Sequence, residues 1–352
     1  MGSCAVVSLL LVALGASAAG CRRGPPSPAP PDAVDRFPEQ GSFVLLGNAT
    51  VEPGGSNAPF LVDLDTGATH RLKALDATCD AIGNYESGGD SGRRLIQISN
   101  GVGVSPARHL LFATPRDPSD VPLLSLALDG RCAPRWHEPN EYSTNVSVSA
   151  DGTTVLRWQR GFELRRDDGS DRRPLAWLDD PHPSPDRRDV IGESVKLSPR
   201  ADRIALVRYV GYSGSVEEPL SVQVCDPAGA CREVHGVERA NFAGLGWSPD
   251  GARLALLASH DERNSLTIID VASRATVVLS PGTRRSGIRD FAWSPDGQRL
   301  ALLSAHEGGC TPPVRDMVST CHEGVYVVDA SGEQLRTVRR GIDDAWGFWW
   351  LR

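Results

Sequence analysis

An eleven-residue stretch decides the fold because the chain contains it twice. Residues 247–257 read WSPDGARLALL, and residues 293–303 read WSPDGQRLALL. Weaker copies of the same turn come earlier, so that its serine recurs at Ser105, Ser149, Ser198, Ser248 and Ser294. These spacings of 44 to 50 residues match the length of one blade of a β-propeller.

Each repeat predicts four short strands. In the fifth, apolar runs at 242–247, 253–259, 265–271 and 276–279 are separated by turn residues. Pro249 has the backbone angle that position i+1 of a type I turn needs, and Gly251 at i+3 takes up a left-handed conformation easily. The repeat therefore predicts antiparallel hairpins that begin at this turn.

The two ends of the chain together supply one further blade. Residues 42–46, 60–63 and 70–72 predict three strands, and no turn motif precedes them. The last strand, residues 345–351 (AWGFWWL), is similar to the FAW at 291–293 that leads into a turn. We therefore predict an all-β protein with a six-bladed β-propeller of four-stranded antiparallel blades over 41–352. In it the C-terminal strand closes the ring by joining blade one, and its aromatic residues pack between blades.

The WSPDG turn followed by RLALL resembles the repeat of TolB-type, WD-repeat-like propellers of bacterial periplasmic proteins. The periodic match covers about residues 95–352. The resemblance implies the propeller fold and a location in the cell envelope. Only a short linker precedes the propeller here, where TolB carries an α/β domain, so TolB's partner and contact residues are not carried over.

The N-terminus predicts export. Residues 6–19 are apolar and uncharged, too short for a membrane-spanning helix and suited to a signal peptide over 1–20. Ala18-Ala19-Gly20-Cys21 resembles a lipobox, which implies lipidation of Cys21, and the Pro-rich residues 21–40 predict an extended tether. The alternative is a secretory peptide that is cleaved nearby to leave an unanchored protein. Arg22, in place of the Asp that signals inner-membrane retention, favours the outer membrane.

The cysteines agree with an oxidising compartment, where disulfides form. Locality pairs Cys225 with Cys231 and Cys310 with Cys321, and Cys79–Cys132 remains by elimination. His306 and His322 flank the second pair, so zinc is an alternative there. Two cysteines in an exported loop more often form a disulfide, and we expect no bound metal and no cofactor.

Composition and motifs narrow the function. A formal net charge of −7 with no basic run argues against a nucleic-acid partner. The run Gly211-Tyr212-Ser213-Gly214-Ser215 departs from a nucleophile elbow in its last residue, and no P-loop or dinucleotide fingerprint occurs. No motif indicates catalysis.

The channel mouth is the place where a ligand is expected. Residues just before the inner strands line one mouth of the central channel, and there the alignment places Asn145, Glu193, Arg289, Asp290 and Asp344. Polar groups that converge in a concave site are the default binding hypothesis. We predict a non-enzymatic envelope scaffold, attached to the membrane through its lipid only, for a protein or peptidoglycan-associated partner. The alternative is a propeller hydrolase or lyase that acts on a small lactone or glycan.

Overall fold

The computed structural model describes residues 33–34, 41–50, 58–72, 104–105, 110–113, 123–127, 132–136, 145–149, 153–158, 161–166, 170–178, 195–209, 218–260, 263–279, 287–310 and 321–351. By its internal contacts the chain divides into two segments, Met1–Pro30 and Pro31–Arg352. Every described residue belongs to the second segment. All regular structure in this part of the chain is β-strand, and no helix that could cross a membrane occurs there.

The first half of the chain contains twelve described strands. They are β1 (Ala33–Val34), β2 (Phe43–Thr50), β3 (Ala58–Asp63), β4 (Thr69–Leu72), β5 (Val104–Ser105), β6 (Leu110–Ala113), β7 (Leu123–Ala127), β8 (Cys132–Trp136), β9 (Asn145–Val148), β10 (Thr153–Trp158), β11 (Gly161–Arg166) and β12 (Arg173–Pro174).

The second half contains eleven. They are β13 (Lys196–Leu197), β14 (Ile204–Tyr209), β15 (Glu218–Cys225), β16 (Cys231–Trp247), β17 (Arg253–His260), β18 (Arg263–Asp270), β19 (Thr276–Leu279), β20 (Ile288–Trp293), β21 (Arg299–Cys310), β22 (Cys321–Asp329) and β23 (Arg336–Leu351).

These strands form four sheets, in which the neighbours are consecutive and antiparallel except at β1–β4, which is parallel, and at β2–β23, which joins the two ends of the chain. Two sheets have four strands, in the orders β5-β6-β7-β8 and β12-β11-β10-β9. A seven-stranded sheet runs from β13 to β19 in chain order. The eight-stranded sheet has the order β1-β4-β3-β2-β23-β22-β21-β20, in which β1 lies parallel to β4. The sequence therefore predicted the all-β class and the chain-order pairing correctly.

Two long strands explain the larger sheets. The sequence predicted a strand that begins at residue 242, but β16 runs from Cys231 to Trp247 without a turn. Its residues up to Ala240 pair with β15, and those from Asn241 pair with β17. β23 does the same, pairing first with β22 and then, from Asp343, with β2. Each long strand is thus the last strand of one group of four and the first strand of the next, and we call each such group a unit. No proline interrupts either long strand, so its ladder of hydrogen bonds can continue.

The repeated turn has the geometry that its sequence predicts. Gly251 and Gly297 have φ of +70° and +69°, and each donates its N–H to the carbonyl of the turn serine at 2.8 Å. The serine hydroxyl contributes as well: Ser248 Oγ donates to Asp250 Oδ1 at 2.6 Å and accepts from the Arg253 N–H at 2.9 Å. The turn is therefore held by its own side chains as well as by its backbone.

The core lies between neighbouring units and is built by strands that are buried on both faces. On β17, Leu254, Leu256 and Ala258 pack toward the unit that precedes it, whereas Ala255 and Leu257 pack toward the unit that follows. Adjacent residues on a strand point to opposite faces, so one strand contributes to two cores. This explains why these strands show long apolar runs in place of strict alternation.

In the two units of the seven-stranded sheet, an arginine at the start of the second strand latches the unit to the next. Arg253 donates to the carbonyl of Gly297 at 2.6 Å and lies over the Trp293 ring, 5.2 Å from its centroid. Arg203 makes the same contacts with Gly251, at 2.9 Å, and with Trp247. The repeated WSPDG–R pattern therefore fastens neighbouring sheets as well as forming the turn.

The C-terminal strand packs as predicted. Residues 346–351 of β23 pair with β2, and Phe348 and Trp350 are buried in one core with Val44 and Leu46. Arg299 lies over the Trp350 ring at 5.3 Å, just as Arg253 lies over Trp293. Phe348 and Trp350 are thus core, and β23 supplies the strand that pairs with β2 ahead of β3 and β4.

Candidate functional site

The candidate site begins at an irregularity in β20. The pairing of β20 with β21 shifts between Ile288 and Asp290, so that Arg289 lies outside the regular ladder. The Phe291 N–H donates to Asp290 Oδ1 at 2.8 Å. Bulges of this kind redirect side chains and are common beside functional sites. Here the bulge presents two adjacent charged residues at the start of a first strand.

A buried carboxylate holds the first of them. Arg289 forms an ion pair with Glu323 on β22, in which the Glu323 side chain is 2% exposed and the Arg289 side chain 43%. A buried charge needs such a partner, because an uncompensated one costs several kcal/mol. Glu323 thereby anchors Arg289, while the exposed part of its guanidinium remains accessible to solvent.

Asp290 has unusual electrostatics. Although it keeps some solvent exposure, burial of the carboxyl raises the pKa of Asp290 to about 7. The hydrogen bond from Phe291 and the charges of Lys196 and Arg289 oppose this shift, and Glu323 adds to it. A carboxyl with such a pKa exchanges between a hydrogen-bond donor and an anion near neutral pH. The arrangement can therefore bind a polar group in either state.

The structure describes the side chains of only part of the predicted channel set. Arg289 and Asp290 are neighbours on β20. Asn145 begins β9 and Asp344 lies on β23, but their side chains are outside the described structure, as is all of Glu193. The prediction of these five residues as one site is therefore not tested.

Two site residues escaped the sequence analysis. Lys196 comes from β13. Its rarity could have pointed to it, because it is one of two lysines in a chain of 352 residues. Glu323 lies on the third strand of its unit, far from the repeated turn, and no pattern pointed to it. The predicted site residues were all sought just before first strands, whereas Glu323 lies on a third strand, so the prediction did not include it.

The disulfide prediction is confirmed for Cys225–Cys231, which are bonded across the β15–β16 hairpin. Trp177 packs on this hairpin and donates its indole N–H to the Pro227 carbonyl at 3.2 Å. The backbone register also sets Cys310 directly opposite Cys321.

The other cysteine and metal predictions stay open. Cys132 begins β8, and Cys79 is outside the described residues, as are the side chains of His306 and His322. Within the described part of the chain, no group of three His, Cys, Asp or Glu side chains is placed to hold a metal ion.

Comparison with known proteins establishes the fold class. TolB from Acinetobacter baumannii aligns with a TM-score of 0.52 at 12% identity, over 88% of this chain and 66% of that one. This chain thus spans slightly less than two thirds of that TolB. A structure of a nidogen/laminin complex aligns with a TM-score of 0.50 at 10% identity, over 87% and 100% of the two chains.

A third structure, the periplasmic gluconolactonase of Pseudomonas aeruginosa, has a TM-score of 0.48 at 16% identity, over 88% of this chain and 99% of that one. No protein-family model and no curated protein matches the sequence. The protein has a β-propeller fold, and this fold carries many unrelated functions. Function must therefore be argued from the site.

Proposed function

We propose that this protein is a lipid-anchored scaffold of the bacterial cell envelope that binds a protein or peptidoglycan-associated partner at one mouth of a six-bladed propeller. The observation that carries the proposal is the convergence of Lys196, Arg289, Asp290 and Glu323 beside the start of β20. Convergent polar groups that include a residue with a shifted pKa are the default hypothesis for a binding site.

Six blades follow from the strand order if β16 and β23 are each divided where their partners change. The strands then group as β23-β2-β3-β4, β5–β8, β9–β12, β13–β16, β16–β19 and β20–β23. The contacts of β23 support a closed ring. Arg299 lies over Trp350, and Arg336 donates to the Leu64 carbonyl at 2.8 Å, as Arg232 does to the Val271 carbonyl two interfaces earlier.

The envelope location rests on the sequence. From the predicted signal peptide 1–20, the predicted lipidation of Cys21 and the predicted tether to residue 40, we infer that the propeller lies outside the inner membrane, on the periplasmic or the surface side, with the outer membrane preferred. The Cys225–Cys231 disulfide supports this placement, because disulfides persist in oxidising compartments. The intact mass of the mature protein tests it. We expect a diacylated Cys21 at the N-terminus, and an unmodified N-terminus would contradict the anchor.

Crosslinking in native envelopes tests the scaffold function. The wild type is expected to capture one reproducible partner, and the double variant Asp290→Ala/Glu193→Ala to lose it. The matched control is Asp65→Ala/Glu238→Ala, which removes two exposed carboxylates elsewhere. Undiminished capture by the folded double variant contradicts binding at the channel mouth.

A second candidate function is a hydrolase or lyase reaction on a small lactone or glycan at the same mouth. The raised pKa of Asp290 is the observation that favours it. A carboxyl whose pKa is near the working pH is suited to general acid–base catalysis. As a base, it would take the proton of a water molecule that attacks the lactone carbonyl, and it would return this proton to the alkoxide oxygen as the ring C–O bond breaks, which gives a hydroxy acid. Lactone opening that Asp290→Asn abolishes, without loss of folding, would favour the enzyme over the scaffold.

A further inference from the structure

The outer edge of the unit that ends in β19 differs from the other outer edges. An outer strand exposes unpaired N–H and C=O groups, and proteins usually protect such edges with charges, proline or a covering segment. In the strands that the structure describes, β4 is covered by β1, β8 contains Pro134 and Arg135, and β12 is Arg173-Pro174. The outer halves of β16 and β23 carry charged residues throughout, among them Arg232, Glu233, Arg336, Arg339 and Arg340.

β19 has none of these protections. Its sequence is Thr-Val-Val-Leu, and among the described strands nothing pairs with its free edge. Val277 and Val278 are 37% and 60% exposed, whereas such residues are normally buried in a strand. This is the one outer strand of the described structure that combines an open edge with exposed apolar residues.

A neighbouring turn extends the apolar surface. Gly332 packs against β19: a Cβ atom at Gly332 would lie 2.8 Å from Leu279 Cδ2 and 3.4 Å from Val277 Cγ1. Leu335 follows in the same connection and is 50% exposed. Val277, Val278 and Leu335 are the large exposed hydrophobic residues of the described chain, and Leu335 comes three residues after the Gly332 that packs against β19. We call this surface, β19 with Leu335, the β19 edge.

Charge indicates what the β19 edge binds. Arg274 lies two residues before the strand, is exposed, and forms no ion pair with a described residue. An acidic group on an incoming chain would meet this cation at the beginning of β19. The edge is also too short to hold a second folded copy, because its four residues span only about 14 Å and stable interfaces bury about 800 Å² per partner.

This chain already shows the mode of binding. Ala33 and Val34 pair in parallel with Arg71 and Leu72 and so add a fifth strand to the outer edge of the N-terminal unit. We propose that the β19 edge likewise accepts an extended segment of a partner protein, in which apolar residues alternate and an acidic residue lies opposite Arg274. Main-chain hydrogen bonds would give affinity, and the exposed valines and Arg274 would give selectivity.

This inference deepens the proposed scaffold function and rests on it, but it uses a different surface. The channel-mouth variant Asp290→Ala therefore separates the two: it leaves binding at the β19 edge unchanged. If Asp290→Ala abolished binding at both places, the β19 edge would not be a site of its own.

The probe is the peptide acetyl-Asp-Val-Thr-Val-Thr-Val-amide, added to the mature protein. We expect it to slow amide hydrogen exchange across β19, and we expect Val278→Lys to weaken its binding by about tenfold, even though the new charge attracts the peptide. The matched control is Thr337→Lys, at an exposed position of a protected outer strand, which leaves binding unchanged. The wild type is expected to bind this peptide more tightly than the same peptide with Lys in place of Asp. The Arg274→Glu variant is expected to prefer the peptide that begins with Lys.

Three results would overturn the proposal. The first is exchange protection elsewhere or none at all, and the second is equal binding to the Val278→Lys variant. The third is self-association of the protein that Val278→Lys abolishes, which would assign the edge to a second copy of this chain. If Arg274→Glu did not reverse the preference between the two peptides, the proposal that the partner carries an acidic residue opposite Arg274 would be wrong.

Discussion

At the scale of single residues, environment gives two aspartates of one strand–turn segment opposite properties. Asp290 begins β20, where burial raises the pKa of its carboxyl to about 7. Asp296 lies in the turn that follows, where the Ser294 hydroxyl and the Gln298 N–H donate to its carboxylate and lower its pKa. The turn aspartate therefore stabilises the fold as an anion. The burial of Asp290 disfavours its anion, and the proposed binding role of Asp290 explains why it lies there.

The pH dependence of stability tests the account of Asp290. Between pH 3.8 and about 7 the folded protein keeps a proton on Asp290 that the unfolded chain releases. The free energy of unfolding therefore falls as the pH rises through this window, by up to about 1.4 kcal/mol per pH unit, and levels off above it. Asp290→Asn cannot titrate, so in urea unfolding its stability should gain on that of the wild type as the pH rises.

The matched control is Asp65→Asn, which removes an exposed carboxylate elsewhere in the chain. Parallel stability curves for the wild type and Asp290→Asn would show that Asp290 titrates normally in the folded protein.

Ala201 tests the account of the repeated turn. It occupies the place of Gly251 and Gly297 and has φ of +56°, which costs an alanine roughly 1 kcal/mol more than a glycine. Ala201→Gly is therefore expected to stabilise the protein by about that amount in urea unfolding. The reciprocal change Gly251→Ala should destabilise it, and a destabilising Ala201→Gly would mean that the turn does not impose this conformation.

At the scale of elements, the strands act through the contacts between sheets. β17 contributes to two cores because its adjacent residues face opposite sides, and a latch arginine at its start reaches the next turn. This explains why the repeat keeps an arginine two residues after the turn glycine in both strong copies. One short motif therefore specifies a hairpin, its core residues and its neighbour.

Removal of a latch should cost stability. Arg253→Met keeps most of the apolar stem but loses the hydrogen bond to the Gly297 carbonyl and the stacking on Trp293. We expect a loss of about 2 kcal/mol in the free energy of unfolding. Arg274→Met, at an exposed arginine of the same unit, should change stability by less than about 0.5 kcal/mol. Equal effects of the two changes would remove the latch from the account.

At the scale of the whole molecule, the sequence predicted the fold better than the site. The repeat fixed strand order and turns, since turn geometry depends on local residues such as Pro249 and Gly251. The continuity of β16 was missed because a change of pairing partner leaves no mark in local sequence. Glu323 was missed because its contact with Arg289 depends on how a third strand approaches the first.

Closure of the ring is the claim on which the channel mouth depends, because an open array of sheets has no channel. A crystal structure of the mature protein tests it most directly. The account predicts six four-stranded blades, with residues 345–351 as the inner strand beside β2 and with Asp290 at the channel mouth. A different number of blades, or a gap between the first and last blades, would contradict it.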